Sequence, residues 1–268
     1  MCSRLKLIVL ALSALCMGCQ GLQNGKMDWV QPTSTAPRAG NVYLIRGLIG
    51  VFSTGMDELC GKLEKQGISA HVFQDGQQYV LEDEIIRKYK GVQDPEPLVL
   101  IGHSYGADDV MRISQKLKDA GVKVDLAVTI DSTTPPPVPP NVALTYNYYQ
   151  STITDGIPMF RGIPLKEEKP GSVKLYNMDL RKDRTDLLVP GTNHINIDKN
   201  PLLHDVIVKQ VLETCIPRET WVARHGGAVR PAANVQVAPA QPAPLANTNT
   251  TNRPSPQVAR TPVAGQGN

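Results

Sequence analysis

The segment Leu98–Ala107 (LVLIGHSYGA) decides the fold of this 268-residue chain. Its first four residues form a short apolar run, which is typical of a central strand in a parallel sheet covered on both faces. Gly102–Gly106 matches the G-x-S-x-G pattern of a tight turn between a strand and a helix. An amphipathic stretch then runs to Gly121. The order predicts a strand, a sharp turn and a helix, with Ser104 projecting beyond the end of the strand.

Strand and helix signals alternate on both sides of this segment. Further strands are predicted at 41–46, 68–73, 124–130, 142–148 and 173–178. Further helices are predicted from Ser53 or Thr54 to Gly67, over Leu81–Lys90, and over Pro201–Thr214 with Asn200 as N-cap. The alternation predicts an α/β fold, a compact, mostly parallel sheet with helices on both faces. Because only a proline-rich link follows 124–130, we expect no large lid domain.

The first eighteen residues have the pattern of an export signal. Two basic residues precede the apolar run Leu7–Leu15, which is too short to span a bilayer as a helix. The stretch 16–19 (CMGC) resembles the lipobox of bacterial lipoproteins, which implies a lipid on Cys19 and a membrane as partner. Cys16 departs from the aliphatic residue usual at its place, so cleavage elsewhere with a soluble exported product stays open. We expect a bacterial protein in the periplasm or anchored to the envelope.

Composition divides the chain into four parts: signal 1–18, a Gly-, Pro- and Ser-rich tether 19–39, the α/β domain 40–217, and a Pro/Ala/Asn/Thr-rich tail 218–268. From residue 226 onward the tail has seven prolines, no acid and no aromatic residue. Such a segment buries too little apolar surface to offset its ordering entropy, so we predict disorder. The net charge is only +3, and no basic patch alternates with aromatic residues. These features exclude nucleic-acid binding.

A serine hydroxyl needs a base within hydrogen-bond reach to act as a nucleophile at neutral pH, and the base needs an orienting acid. After an elbow of this kind they follow in the chain order Ser, Asp, His. His194 lies in the loop between the last strand and the last helix and is the expected base, with His204 inside that helix as the alternative. Asp131 directly follows a strand, where parallel sheets bind ligands, and is the expected acid. Asp155, after the next strand, is the alternative acid.

The elbow, the helix ending at Gly121 and the strand closing in Ile130-Asp131-Ser132 resemble the type I thioesterases of peptide and polyketide synthases. The resemblance covers about residues 97–140, and its glycine–serine part is shared with lipases and esterases of the α/β-hydrolase superfamily. It implies that the elbow serine, Ser104, is the nucleophile and that the aspartate after the strand, Asp131, is the acid.

A second resemblance concerns the turn Arg46-Gly47-Leu48, which is similar to the His-Gly-x turn of lipases. It implies that the backbone N–H of Leu48, beside that of Tyr105, forms an oxyanion hole. Arg46 stands where the family has histidine, but the donor in question is a backbone amide.

The expected reaction is hydrolysis of a small acyl ester or thioester through an acyl-enzyme, without a metal or an organic cofactor, by a monomeric protein. Two alternatives stay open. One is a non-catalytic envelope binding protein on the same fold, and the other is a serine acyltransferase or peptidase that uses the same triad.

Two cysteines remain after signal removal, Cys60 on the predicted first helix and Cys215 just after the last one. Because the first and last helices of this fold usually cover the same sheet face, and the compartment is oxidising, we suggest a disulfide between them. Two buried free thiols are the alternative.

Overall fold

The computed structural model describes residues 27, 29–47, 53–74, 76–151 and 161–226. The chain divides into two units, 1–233 and 234–268, and the second lies wholly outside the described residues. The export signal and Cys19 also lie outside them, so export and lipidation stay predictions. Within the described ranges, no helix has the length and apolar character needed to cross a membrane.

Six parallel strands form one sheet in the order β2-β1-β3-β4-β5-β6. Their bounds are β1 (Asn41–Ile45), β2 (Ser69–Phe73), β3 (Leu98–His103), β4 (Leu126–Ile130), β5 (Leu144–Tyr149) and β6 (Lys174–Asp179). Strands β1, β3 and β4 are buried at every position and form the centre of the sheet. The predicted α/β architecture is confirmed, and no large lid domain interrupts the described part of the chain.

In the described ranges, five α-helices cover the sheet or close its end, with the bounds α1 (Gly55–Lys65), α2 (Gln78–Tyr89), α3 (Tyr105–Ala120), α4 (Pro201–Thr214) and α5 (Arg218–His225). Helices α1 and α4 pack on one face of the sheet, and α2 and α3 pack on the other. The predicted cap of α4 is present, since the Asn200 side chain accepts hydrogen bonds from the N–H groups of Leu202 and Leu203.

The apolar runs of the central strands reflect burial on both faces. In β1, Val42 and Leu44 face the α1–α4 side, whereas Tyr43 and Ile45 face the α2–α3 side. Each fully buried aliphatic side chain contributes about 1.5–3 kcal/mol relative to exposure. The two-sided packing therefore fixes the sheet as the rigid base from which the loops at its carboxyl edge project.

The domain extends beyond residue 217, where the composition of the sequence had placed its end. The Glu96 carboxylate, fully buried just before β3, accepts hydrogen bonds from the N–H groups of Gly40 (2.8 Å) and Ser34 (3.1 Å). The Arg218 guanidinium at the start of α5 pairs with the same carboxylate. Residues 34–39 of the predicted tether and residues 218–225 of the predicted tail are thus part of the packed structure, held by these polar contacts and by buried apolar residues such as Trp221.

Cys60 and Cys215 are free buried thiols, so the suggested disulfide is not formed. Their helices do flank the same sheet face, but the two sulfurs have different surroundings. Cys215 Sγ lies against Gly40, only 2.5 Å from the place a Cβ would take there, and its charged neighbours include Asp125. Cys60 has Glu64 of its own helix as its first charged neighbour. Burial raises the pKa of both thiols to about 12, which leaves them unreactive.

Replacing Arg218 by methionine tests the Glu96 contact. The Arg218→Met variant keeps the apolar stem but leaves the buried carboxylate without its guanidinium. Removal of one partner from a buried pair costs about 3–5 kcal/mol, and we expect the lower end because the Arg218 side chain is 27% exposed. Urea unfolding measures the loss. Lys62→Met, which breaks the exposed pair with Asp205, is the control, with a cost of about 0–1 kcal/mol. Equal losses for the two variants would contradict this role of Glu96.

Candidate active site

Ser104 occupies the sharp turn between β3 and α3. Its backbone angles are φ 57° and ψ −125°, a strained conformation that costs of the order of 1–3 kcal/mol for a residue other than glycine. Its N–H donates to the Ile130 carbonyl at the end of β4 (2.9 Å), and its own carbonyl accepts from the N–H of Ala107 (3.0 Å). Hydrogen bonds on both sides therefore hold the turn that projects the serine above the sheet.

Three glycines make this turn sterically possible. A Cβ on Gly102 would overlap the carbonyl oxygen of Gly106, and a Cβ on Gly106 would overlap that of Ile45 in β1. A Cβ on Gly47 would lie 2.9 Å from the Cβ of Ser104. Since backbone atoms cannot yield as a flexible side chain does, the start of α3 approaches β1 only because these positions lack side chains.

The structure brings the three sequence-predicted residues together at the carboxyl edge of the sheet. Ser104 Oγ lies 2.9 Å from His194 Nε2, and His194 Nδ1 lies 3.3 Å from Asp131 Oδ2. Because a carboxylate only accepts hydrogen bonds, Nδ1 carries the ring proton, and Nε2 is left to accept from the serine hydroxyl. The Gln150 N–H donates to the other carboxylate oxygen of Asp131 (2.8 Å) and holds it in place.

The order and placement of these groups identify the fold. An all-parallel sheet carries a serine elbow after β3, a carboxylate after β4 and a histidine before α4, in the chain order Ser, Asp, His. The chain has the α/β-hydrolase fold.

Solved structures with a similar chain path have low sequence identity to this one. They include a protein of Xanthomonas campestris pv. campestris described as a candidate hydrolase of the alpha/beta superfamily, at 12% identity, covering 66% of this chain and 99% of that chain, with a TM-score of 0.37. A pyrethroid hydrolase has 12% identity, coverages of 65% and 96%, and a TM-score of 0.36. A type II thioesterase from the borrelidin biosynthetic cluster has 10% identity, coverages of 70% and 100%, and a TM-score of 0.37. No protein-family model and no curated protein matches the sequence.

The alternative site residues have other positions. His204 is buried in α4, where its Nε2 donates to the Asp198 carbonyl (2.5 Å), and it does not contact Ser104. Asp155 and Leu48 lie outside the described residues, so the alternative acid and one half of the oxyanion hole stay predictions. The N–H of Tyr105 is the first of α3, and no carbonyl of an earlier helical turn is placed to accept from it. Among the residues that the structure describes, no group of three His, Cys, Asp or Glu side chains is arranged to hold a metal ion.

Asp108 joins the loop of Asp131 to the rest of this α/β-hydrolase site. The fully buried Asp108, in the first turn of α3, accepts hydrogen bonds from the N–H and Oγ1 of Thr133 (2.9 and 2.8 Å) and from the N–H of Thr134 (3.0 Å). Burial raises the pKa of Asp108, and the threonine donors partly offset this. Sequence reasoning missed Asp108, although the paired threonines just after Asp131 are a signal for a buried acceptor.

A third carboxylate, Asp198, anchors the loop of His194. It is fully buried, and its Oδ2 accepts a hydrogen bond from the Gly55 N–H at the start of α1 (2.8 Å). The position faces the unpaired amides of a helix start rather than water. Burial raises the pKa of the Asp198 carboxyl to about 6, against which the Gly55 hydrogen bond acts.

Gly106→Ala tests the close approach of α3 to β1. The added methyl group collides with backbone oxygens of Ile45 and Arg46, so we expect a loss of at least about 1–3 kcal/mol in thermal unfolding. Gly61→Ala is the matched control. It lies inside α1 with no atom within 4 Å of the new Cβ, and alanine there should stabilise the protein by up to about 1 kcal/mol. A Gly106→Ala variant as stable as wild type would contradict the packing argument.

Asp198→Asn tests the raised pKa of the buried carboxyl. In the folded protein this pKa is about 6, above the usual 3.8, so the folded state binds the proton more tightly than the unfolded state. The contribution of Asp198 to the stability of the wild type should therefore decrease as the pH rises from about 4 to about 6. The asparagine side chain does not titrate, so the stability of the variant relative to that of the wild type should rise over the same pH interval. Denaturant unfolding between pH 4 and pH 8 measures it, with Asp119→Asn on the exposed side of α3 as control. A pH-independent difference would contradict the assignment.

Proposed function

We propose that this protein is a serine hydrolase that cleaves an acyl ester or thioester, with Ser104 as nucleophile, His194 as base and Asp131 as the acid that orients the base. The observation that carries the proposal is the unbroken line of hydrogen bonds from Ser104 Oγ through both ring nitrogens of His194 to Asp131. This line of hydrogen bonds begins at Ser104, and the strained backbone of that residue supports a functional role for its hydroxyl.

In the proposed mechanism, Ser104 Oγ attacks the carbonyl carbon of the substrate while His194 Nε2 takes the hydroxyl proton. The carbonyl electron pair moves onto oxygen, and the N–H of Tyr105, together with that of Leu48, stabilises the resulting oxyanion. One such donor is worth about 3 kcal/mol in comparable sites. The oxyanion then collapses to the acyl-enzyme as His194 gives its proton to the leaving alcohol or thiol. Water repeats both steps and releases the acid.

Burial supports the role of Asp131 in this mechanism. Its side chain is 2% exposed and that of His194 is 9% exposed, so little water screens the attraction between the carboxylate and the imidazolium that forms. The carboxylate also keeps the imidazole in the tautomer that accepts the serine proton. The same geometry supports acyl transfer to an acceptor other than water.

The substrate class and the location rest on sequence resemblance. The elbow region resembles thioesterases, lipases and esterases, which favours a carbonyl carbon with an oxygen or sulfur leaving group. The predicted signal and the lipobox-like stretch ending at Cys19 favour work on a small acyl substrate in the bacterial envelope, by a monomer attached to the membrane through a lipid.

Labelling with a fluorophosphonate probe tests the activated serine. Protein lacking residues 1–18 should label, and Ser104→Ala should abolish labelling because it removes the nucleophile. His194→Ala should slow labelling by at least about 10³-fold, because an unassisted serine hydroxyl is a weak nucleophile. Ser172→Ala and His225→Ala, which alter side chains outside the site, are the matched controls and should label like wild type.

The outcomes separate the competing functions. A well-folded wild type that does not label would favour a non-catalytic binding protein, and labelling that persists in Ser104→Ala would point to another nucleophile. If labelling follows the proposal, rates with matched p-nitrophenyl and thioester acyl substrates, with and without added alcohol or amine acceptors, distinguish hydrolase from acyltransferase.

A further inference from the structure

A second histidine, His103, lies beside the proposed base and takes no part in the steps described above. Its ring centroid lies 5.3 Å from that of His194, and the residue is 2% exposed. His103 Nε2 lies 2.9 Å from the backbone carbonyl oxygen of His194, and His103 Nδ1 lies 2.8 Å from Ser53 Oγ. Ser53 Oγ in turn accepts a hydrogen bond from the Gly47 N–H (2.9 Å). Three hydrogen bonds therefore connect Gly47 to the main chain of His194.

The chemistry of the atoms fixes the direction of each bond. A carbonyl oxygen only accepts, so His103 Nε2 carries the ring proton and donates it to His194. Nδ1 is then an acceptor, and the Ser53 hydroxyl donates to it. The Gly47 N–H donates to the lone pairs that remain on Ser53 Oγ. No atom of His103 is left to accept the serine proton in place of His194.

We propose that His103 is a positioning residue, which holds the main chain of His194 at the distance that Ser104 requires and links it through Ser53 to the turn of the oxyanion donor. Gly47 and Ser53 flank the segment 48–52, which contains Leu48. One set of hydrogen bonds thus joins the main chain of His194 to the residues on either side of this segment. The proposal rests on the function proposed above.

The charge of His103 fits this role. Burial, and then the nearby His194, lower the pKa of His103 to about 3, so its ring is neutral wherever the protein is folded and active. A second cation 5.3 Å from His194 would oppose the imidazolium that forms there during the reaction. A neutral donor fixes the His194 main chain without this repulsion.

Paired substitutions of His103 separate positioning from packing. His103→Gln keeps an N–H donor at the place of Nε2, and His103→Leu fills the volume without a donor. We expect fluorophosphonate labelling to slow by about 10- to 100-fold in His103→Leu, the effect of a displacement near 1 Å in an active site, and by less than about threefold in His103→Gln. Thermal unfolding of both variants checks that they fold alike. Equal labelling rates in the two variants would overturn the proposal.

Ser53→Ala tests the link if His103→Leu does not fold. It leaves His103 in place and removes both neutral hydrogen bonds of the Ser53 hydroxyl, to His103 Nδ1 and from the Gly47 N–H, so we expect labelling to slow by about 2- to 10-fold. Ser114→Ala is the matched control, because Ser114 is equally buried but its hydroxyl donates to the Val110 carbonyl of its own helix. If Ser53→Ala labelled as fast as Ser114→Ala, the link to the oxyanion turn would be wrong.

A measurement independent of activity keeps this inference apart from the proposed function. Long-range ¹H–¹⁵N spectra of ring-labelled protein report which nitrogen of His103 is protonated. We expect the Nε2–H form from pH 5 to pH 8, and a change in the ring signals of His194 in His103→Leu. An Nδ1–H form, or unchanged His194 signals, would overturn the role of His103. Wild type without labelling would instead contradict the hydrolase, while the spectra would still decide whether His103 fixes His194.

Discussion

The contact between the first turn of α3 and the end of β1 is the constraint on which the site depends. With no side chain at Gly106, the backbone of the helix start lies against the carbonyl oxygens of Ile45 and Arg46. The chain then has room for only one tight turn between β3 and α3, and Ser104 takes the strained conformation in that turn. The placement of the nucleophile, the exposure of the helix amides and the packing of Gly47 on Ser104 all follow from this approach.

Polar contacts between loops also hold the residues of the site in place. Arg181, just after β6, donates to the Gln150 side chain (3.0 Å) and to the Thr192 carbonyl (3.1 Å). It therefore joins the loop that holds Asp131 to the loop that carries His194. These contacts add to the buried hydrogen bonds that Asp131 accepts from Gln150 and Asp108 accepts from Thr133.

Most strands and helices of the structure can be predicted from the sequence because they depend on local residue patterns. The apolar run before Gly102 and the cap at Asn200 each depend on neighbours within a few residues, and both predictions are confirmed. The fold that those patterns specify brings Ser104 and the loop of His194 to the same edge of the sheet.

The contacts that sequence reasoning missed join residues far apart in the chain. Glu96 pairs with Arg218, Asp198 with Gly55, and His103 with Ser53 and the main chain of His194. A carboxylate or an imidazole in the sequence gives no sign of its distant partner, and without the partner it resembles a surface residue. The same reasoning applies to residues 218–225, because nothing in the composition indicates the contact of Arg218 with Glu96.

Helix α5 closes the domain at the amino ends of the strands, through Arg218 and Glu96, whereas Ser104, Asp131 and His194 stand at the carboxyl ends. The two edges of the sheet therefore serve separate purposes. A surface, a polymer or an affinity matrix that approaches the protein from the side of α5 meets the edge opposite the reacting groups. Attachment through that helix leaves the edge with Ser104, Asp131 and His194 open to incoming solute.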